Sequence, residues 1–260
     1  MAIVVNSDAS AFKRTANLPA YNSATLFGWF YIGTDKNDYT SLLGLADSTG
    51  GTPTAGFHLS TDVDGTTLQV WNDFAGGTNL KALSTATWYF AAITCAGTGA
   101  GQVIGYVRSI TETTFTTTTE TLPGSFTPAV AEWGRAGYSP FYLDGRIHAC
   151  GMADVVLSSD ELLWLSHFHE PQLRGIRSLN VFYPTIESVN TNATVDRSGN
   201  GRNATATHGA LADSPPLLWM RSPRIGVINV AAAAGTTRGT PFGHRGTAFN
   251  GGRTFHGIIQ

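Results

Sequence analysis

Two carboxylates, Asp62 and Asp64, have a spacing that could do chemistry, because they are separated by a single residue. Alternate side chains of a β-strand share one face, so such a pair could flank a glycosidic bond as acid and base. Asp64 is followed by Gly65, however, and an Asp-Gly pair between two alternating apolar runs is typical of a hairpin turn. We therefore expect turn residues here and predict no catalytic residue, with a catalytic pair as the lesser alternative.

Oxygen donors in predicted loops could bind calcium through carboxylate and amide groups. The weak candidates are Asp62, Asp64, Asn72 and Asp73, with Asp35, Asn37 and Asp38 in an earlier loop. Ordinary turn chemistry is the preferred interpretation, so no cofactor is predicted and calcium is the alternative. His167 and His169 diverge on a helix and have no third ligand at a useful spacing, so they do not predict a metal site.

Trp71 is the aromatic residue considered for ligand contact. In its predicted strand Leu68 and Val70 alternate with Gln69 and Trp71, which is the pattern of a sheet with two different faces. A tryptophan on a sheet face could be a platform on which a glycan stacks. The favoured alternative is an aromatic residue of the core or of an interface.

Cys95 and Cys150 are the two cysteines of the chain, and each lies in an apolar predicted strand. A small thiol packs well in such a strand. The N-terminus does not have the pattern of a secretion signal, so the argument for a disulfide is weak. We predict two free, buried thiols. The sequence contains neither a phosphate-binding loop nor a Gly-x-Ser-x-Gly nucleophile motif.

Composition and pattern favour strands. Charged residues make up 13% of the chain and hydrophobic residues 42%. Residues 25–33 are apolar on both faces, which predicts a covered strand. A hairpin is expected over 56–73, and residues 86–95 predict a central strand that pairs with 101–110 across a Gly-rich turn. The Thr-rich run 111–121 predicts an exposed or edge strand, in which Glu112 and Glu120 hinder pairing with another chain.

The stretch 141–166 organises the rest of the chain. Asp144 and Gly145 predict a turn that closes a hairpin, and residues 146–156 predict a long strand with a bulge near Gly151. Ser158 is a good N-cap, and Glu161 completes a capping box for a short helix over 158–168. The apolar side of this helix is expected to carry Leu162, Leu165 and Phe168.

This strand followed by a Leu-Ser-x-x-Glu helix start resembles the closing motif of laminin G-like jelly rolls of the concanavalin A-like lectin/glucanase superfamily. The strand with Phe27 and Trp29, the hairpin with Phe57 and the strand after Trp88 match the same order. The resemblance covers residues 20–168 and implies an all-β, two-sheet antiparallel jelly-roll sandwich. The carboxylate pattern of the superfamily's glucanases, Glu-x-Asp-x-x-Glu, is absent.

A later segment resembles the Asp-x-Ser-Gly-Asn-Gly motif of laminin G-like proteins, with Asp196, Ser198 and Asn200 at its polar positions. In many relatives this segment opens the jelly roll, whereas here it follows the closing helix. A similar order occurs in head and tail proteins of bacteriophages. The resemblance therefore implies a virion structural protein.

The chain is expected to comprise a jelly-roll body, 1–216, and a basic Gly-rich C-terminal arm, 217–260. The arm carries five arginines and no acidic residue, so the rest of the chain holds 11 of the 16 basic and all 18 acidic residues. Such an arm can become ordered by docking onto the acidic body of a neighbouring copy. The arm residues predicted to bind a partner are Arg238, Phe242, Arg245, Phe249, Arg253, Phe255 and Ile258.

The sequence thus predicts a non-enzymatic bacteriophage virion protein, most consistent with a capsid decoration protein assembled in the host cytoplasm. Its expected partners are other virion proteins and copies of itself. The arginines are too sparse for direct nucleic-acid binding, and the longest apolar runs are too short to span a membrane. The alternative is a lectin-like carbohydrate-binding module that attaches to host glycans.

Overall fold

The structure, a computed structural model, describes residues 2–5, 12–33, 39–49, 53–72, 76–135, 142–167, 178–183, 193–205, 211–213 and 215. These residues form two antiparallel sheets, each of eight strands, and one short α-helix. The predicted fold class, an all-β sandwich with a single short helix, is confirmed.

Sheet A has the strand order β10-β9-β8-β3-β12-β1-β16, and β13 also pairs with β12. Its strands are β1 (Ala2–Val5), β3 (Ala24–Ile32), β8 (Thr87–Cys95), β9 (Gly99–Ser109), β10 (Thr116–Leu122), β12 (Gly145–Ala153), β13 (Leu179–Tyr183) and β16 (Leu211–Ala212). The predicted central strands are β3 and β8, which pair along their whole length.

Sheet B has the strand order β14-β15-β2-β11-β4-β5-β6-β7. Its strands are β2 (Phe12–Arg14), β4 (Ser41–Ala46), β5 (Gly56–Thr61), β6 (Thr67–Asn72), β7 (Gly76–Ala82), β11 (Val130–Trp133), β14 (Ala193–Thr194) and β15 (Ala204–Thr205). The predicted hairpin about Asp64 and Gly65 joins β5 to β6, and Gly65 has the positive φ of 73° that its turn requires.

Two apolar layers hold the sandwich together. The main core lies between the sheets, where Phe30, Phe57 and Trp133 are fully buried. A second layer covers the outer face of sheet A, with Phe27, Trp29, Phe90 and Phe182 among its buried residues. Helix α1 (Ser159–Leu165) contributes Leu162 and Leu165 to this second layer. Sheet A is therefore buried on both faces.

The start of α1 is built as predicted. The backbone N–H of Glu161 donates to Ser158 Oγ at 3.3 Å, and the backbone N–H of Ser158 donates to Glu161 Oε2 at 2.8 Å. These two bonds form the capping box. At the other end of the helix, the buried guanidinium of Arg108 donates to Ser166 Oγ and to the Ser166 carbonyl oxygen, at 2.9 and 3.1 Å.

The interpretation of Asp144 and Gly145 as a hairpin turn is wrong. Gly145 is the first residue of β12, and β12 pairs with β3 and β1 rather than with the preceding strand β11, which belongs to sheet B. The glycine serves a close approach instead, because a Cβ atom at Gly145 would lie 1.9 Å from the Tyr31 carbonyl oxygen. The predicted bulge is present, since the register to β3 shifts between His148 and Gly151.

Strand β1 is an internal strand of sheet A. It pairs on one side with β12, through Ile3 and Ile147, and on the other side with β16, through Ala2 and Ala212. The first strand of the chain is thus enclosed by two strands that follow it by more than a hundred residues.

The Thr-rich run does form the edge strand β10, and its two glutamates make contacts with sheet B, while their effect on pairing with another chain stays a prediction. Glu120 accepts hydrogen bonds from Thr78 and Asn72 of sheet B. Glu112 lies 2.6 Å from the ammonium group of Lys81 on β7. Glu120 therefore ties β10 to the facing sheet, and Glu112 ties the turn before β10 to that sheet.

Cys95 and Cys150 are free and buried, as predicted. Burial raises the pKa of both thiols above the usual value. The chain divides into two units, Met1–Trp219 and Met220–Gln260. The predicted arm, 217–260, lies outside the described residues and stays a prediction. The single α-helix of the described residues is too short to cross a membrane.

Candidate functional site

Trp71 lies on the outer face of sheet B. Along β6, Leu68 and Val70 point into the main core, while Thr67, Gln69 and Trp71 alternate with them and point outwards. Trp71 is half-buried and belongs to neither apolar layer. Trp71 is therefore not a core aromatic, whereas the other favoured interpretation, an aromatic residue of an interface, stays a prediction.

Three neighbours fix the orientation of the Trp71 ring. Trp71 pairs across the sheet with Gly77 on β7 and with His58 on β5. One face of the indole lies against Gly77, where a Cβ atom would come within 2.8 Å of Nε1 and within 2.9 Å of Cδ1. The ring stacks with His58 at 5.7 Å and makes an edge contact with Tyr39 at 5.5 Å. The indole is thus held in one orientation before any ligand arrives.

A pair of amide side chains lies beside Trp71 on the same face. Gln69 precedes Trp71 by two residues and pairs with Asn79 on β7, and Gln69 Nε2 donates to Asn79 Oδ1 at 2.7 Å. Neither amide makes another side-chain hydrogen bond within the described residues. Whichever way the two amides are oriented, this bond leaves one NH2 group and one carbonyl oxygen of the pair without a side-chain partner. Both groups can therefore bond to a ligand.

His58 is neutral over the physiological range. Burial lowers its pKa to about 3, since the low-dielectric surroundings disfavour the imidazolium form. Further along the same row of the sheet, Glu132 is buried, with Arg135 Nε at 3.7 Å and Lys13 Nζ at 4.0 Å from Oε1. This row of sheet B therefore combines a neutral aromatic pair, His58 and Trp71, with a cluster of one carboxylate and two cations.

The weak calcium candidates do not form one site. Asp62 Oδ1 accepts the backbone N–H groups of Thr66 and Thr67, which is turn capping. Asn72 lies at the opposite end of β6, about 17 Å away by strand geometry, and its amide donates to Glu120. Asp73 lies outside the described residues. Within the described part of the chain, no three His, Cys, Asp or Glu side chains are close enough to hold a metal ion.

The Ser-Gly-Asn-Gly segment is a structural turn. The Asp196 carboxylate accepts backbone N–H groups from Phe182, Ser198 and Arg202 at 2.8–3.0 Å. Asn200 Nδ2 donates to two carbonyl oxygens of β13. Gly199 and Gly201 have positive φ, which glycine adopts readily in a tight turn. The segment thus fastens the late part of the chain to β13, and its polar groups are used in doing so.

Sequence reasoning missed an open groove at the end of the sandwich, which is lined by Tyr21 and Phe126. Tyr21 begins a one-turn 3-10 helix, Tyr21–Ser23, and Phe126 lies in a loop about a hundred residues later, so no periodic pattern connects them. The available local signals were two aromatic residues that closely follow a proline. Tyr21 lies two residues after Pro19, and Phe126 lies three residues after Pro123.

The sequence matches no protein-family model, and no curated protein matches it. Among solved structures, the chain resembles a candidate carbohydrate-binding protein from Bacteroides ovatus with a TM-score of 0.55 and 13% identity. The match covers 81% of this chain and 61% of that one, so this chain spans about three fifths of that protein. At this identity the likeness shows a shared fold.

Two further structures are similar over shorter parts of the chain. One is the heptameric SAP-like pentraxin from Limulus polyphemus, with a TM-score of 0.46, 12% identity, and coverage of 64% of this chain and 80% of that one. The other is the CBM40 of the Ruminococcus gnavus IT-sialidase bound to alpha2,3 sialyllactose, with a TM-score of 0.46, 15% identity, and coverage of 62% and 94%. The protein is a two-sheet antiparallel jelly-roll sandwich, the fold it shares with the Bacteroides ovatus structure. The bacteriophage origin stays a prediction.

Proposed function

We propose that this protein is a non-enzymatic carbohydrate-binding module, and that a glycan binds on the outer face of sheet B with Trp71 as its stacking platform. The observation that carries the proposal is the outward, oriented Trp71 ring beside the exposed pair of Gln69 and Asn79. Sugar rings present C–H groups on one side and hydroxyl groups around the edge. An aromatic surface with a donor and an acceptor beside it complements both features.

The rigidity of this surface supports binding. The indole is seated on Gly77 and restrained by His58 and Tyr39, so little side-chain entropy is lost when a ligand covers it. The fold supports the proposal at a coarser level, because the Bacteroides ovatus protein that shares it is described as a candidate carbohydrate-binding protein. The predicted virion role rests on sequence observations: the order of motifs, and the lack of a secretion-signal pattern and of a catalytic carboxylate pattern.

A glycan array probed with the full chain tests the proposal. We expect binding to at least one glycan, and Trp71→Ala should weaken it about tenfold or more, which corresponds to ~1.4 kcal/mol. Trp164→Ala is the matched control, since Trp164 is a partly buried tryptophan that packs on the outer face of sheet A. Equal binding by the Trp71→Ala and wild-type proteins would reject the site.

Two additions sharpen the array. Chelation of divalent ions should leave binding unchanged, because the described oxygen donors are used in turns and in sheet contacts. Incubation of each bound glycan with the protein should release no reducing sugar, as expected of a module without a hydrolytic centre. Release of reducing sugar would make the protein a hydrolase and overturn the non-enzymatic part of the proposal.

A further inference from the structure

A groove of about 560 Å³ lies where the segment 15–21, between β2 and β3, meets the segment 126–128, before β11. This volume falls within the range of about 300–1,000 Å³ that is usual for small-ligand sites. The groove is open to solvent and is formed by the two connecting segments rather than by the face of sheet B. It is therefore a separate surface from the one around Trp71.

An aromatic wall runs along the groove. The rings of Tyr21 and Phe126 lie 5.4 Å apart at an angle of 33°, and both side chains are half-buried. Phe126 is anchored by an edge contact of 6.1 Å to Phe57, which is fully buried in the main core. Pro19 and Pro128 stiffen the two segments, because the proline ring fixes φ. The wall is consequently preformed.

The polar groups of the groove are hydroxyls and one amide. Thr15, Asn17 and Thr127 contribute them, and all three residues are exposed. Asn17 has a φ of 51°, in the left-handed region that costs energy for most residues but is tolerated by asparagine. This backbone conformation holds the amide at the groove. Such local strain tends to occur at binding sites.

The lining contains no charged side chain. The two basic residues that precede it in the chain are turned to other partners. Lys13 Nζ donates to the Thr49 carbonyl oxygen, and Arg14 Nη1 donates to the carbonyl oxygens of Arg202 and Asn203. A bound carboxylate or phosphate would lose water here without gaining a cation, which is costly. The chemistry of the groove therefore selects an uncharged ligand.

We infer that this groove is a second saccharide-binding site, which takes an uncharged sugar unit by stacking on Tyr21 and Phe126. Hydroxyl groups of the sugar bond to Asn17 and to the threonines of the rim. The inference goes beyond the proposed function, because it does not need the Trp71 surface. A module with both sites would hold two sugar units of one polymer, or two separate chains, and would gain avidity from the linkage.

The test is a titration of the isotope-labelled full chain with maltotriose, cellotriose, arabinotriose and, as the acidic comparator, 3′-sialyllactose, followed by backbone and side-chain amide signals. We expect at least one neutral trisaccharide to shift the signals of residues 15–21 and 126–127, while sialyllactose does not. Tyr21→Ala and Phe126→Ala should each weaken that binding at least tenfold. Tyr31→Ala and Phe115→Ala are the matched controls, since both residues pack in aromatic contacts of sheet A.

Asn17→Gly tests the role of the Asn17 side chain in binding without straining the backbone. Glycine adopts the left-handed conformation readily, and the side chain with its amide is removed. It should weaken binding in the groove and leave the unfolding midpoint within a degree or two. The inference is overturned if none of the neutral trisaccharides shifts the groove signals, if sialyllactose shifts them equally, or if the control variants lose as much affinity as Tyr21→Ala. The Trp71 indole signal reports on the proposed function separately, since Trp71→Ala should leave binding in the groove intact.

Discussion

The outer faces of the two sheets use tryptophan in opposite ways. On sheet A, Trp29 is fully buried under the second apolar layer, with the Arg108 guanidinium 5.4 Å from its ring. On sheet B, Trp71 lies on a face that carries His58, Gln69 and other polar groups, and it remains half-buried. The comparison teaches that an outward-facing aromatic residue is structural where a helix covers the sheet. Where the face is polar, the same residue is available to a ligand.

The largest effect should come from truncating the covered tryptophan. Trp29→Ala leaves a large cavity in the second layer and should lower the free energy of unfolding by about 3–5 kcal/mol. Trp71→Ala should lower it by only about 1 kcal/mol, because that side chain is half-exposed. Urea unfolding of both variants measures the difference. Similar losses for the two would remove the contrast between the faces.

The second-largest effect on stability should come from removing the buried guanidinium of Arg108, which donates to Ser166 at the end of α1. Arg108→Met removes the donors to Ser166 and should cost about 3 kcal/mol, since buried hydrogen-bond acceptors are left without a partner. Arg146→Met is the control, because Arg146 also lies over an aromatic ring of sheet A, at 4.6 Å from Tyr31, but is only partly buried. Hydrogen exchange should show faster opening of α1 in the first variant alone. Unchanged protection of the helix would contradict the assigned role.

A third effect depends on pH and belongs to the polar face. The pKa of His58 is about 3 in the folded protein, against about 6.5 for an ordinary histidine, so the unfolded state binds the proton first as the pH falls. Stability contributed by neutral His58 is therefore complete above pH 6.5 and is lost as the pH falls towards 3. Between pH 6.5 and pH 5 the loss should be about 2 kcal/mol.

The readout for His58 is the slope of unfolding free energy against pH between 7 and 5. The His58→Gln variant should show a smaller slope, whatever its stability at pH 7. The pKa of His167 is also lowered by burial and by Arg108, so a residual slope is expected in that variant. Identical slopes in the two proteins would show that His58 does not titrate as proposed.

The smallest effect on stability should come from a substitution at Gly77, against which the Trp71 indole packs. Gly77→Ala places a methyl group within 2.8 Å of the indole, so the Trp71 ring must move. We expect a loss of about 1 kcal/mol in stability and a clear loss of glycan affinity. Gly76→Ala is the matched control, because a Cβ atom at Gly76 meets nothing within 4 Å. Calorimetric titration with a glycan identified on the array compares the affinities of the two variants. Equal affinities would show that the orientation of the Trp71 ring does not affect binding.

Local signals were enough to predict much of the body. The capping box of α1 involves residues three positions apart, and the hairpin about Asp64 and Gly65 involves neighbouring strands, so both could be deduced from short stretches. The same kind of signal failed at Asp144 and Gly145. There the partner of the glycine is the Tyr31 carbonyl oxygen, more than a hundred residues earlier, and no local pattern contains that contact.

The two candidate sites also differ in how far local sequence patterns predict them. Alternation along β6 placed Trp71 on a sheet face, but the burial of that face depends on what packs over it, which a strand pattern does not contain. The groove of Tyr21 and Phe126 was missed entirely, because it is assembled from two connecting segments without periodicity. Function in connecting segments is thus harder to predict from sequence than function on a sheet face.

The enclosure of β1 also governs the order in which the protein can fold during synthesis. Residues 2–5 are synthesised well before their hydrogen-bond partners, which are Gly145–Ile147 of β12 and Leu211–Ala212 of β16. Closing such long loops makes these among the slowest contacts to form. Until then the N-terminal strand is an unpaired apolar segment on the nascent chain. Ala2 and Ala212 are neighbours in the folded sheet. A circular permutant in which these two positions are linked and the chain is opened at another loop would place β1 directly after β16 in the sequence. We expect β1 to pair sooner in that variant.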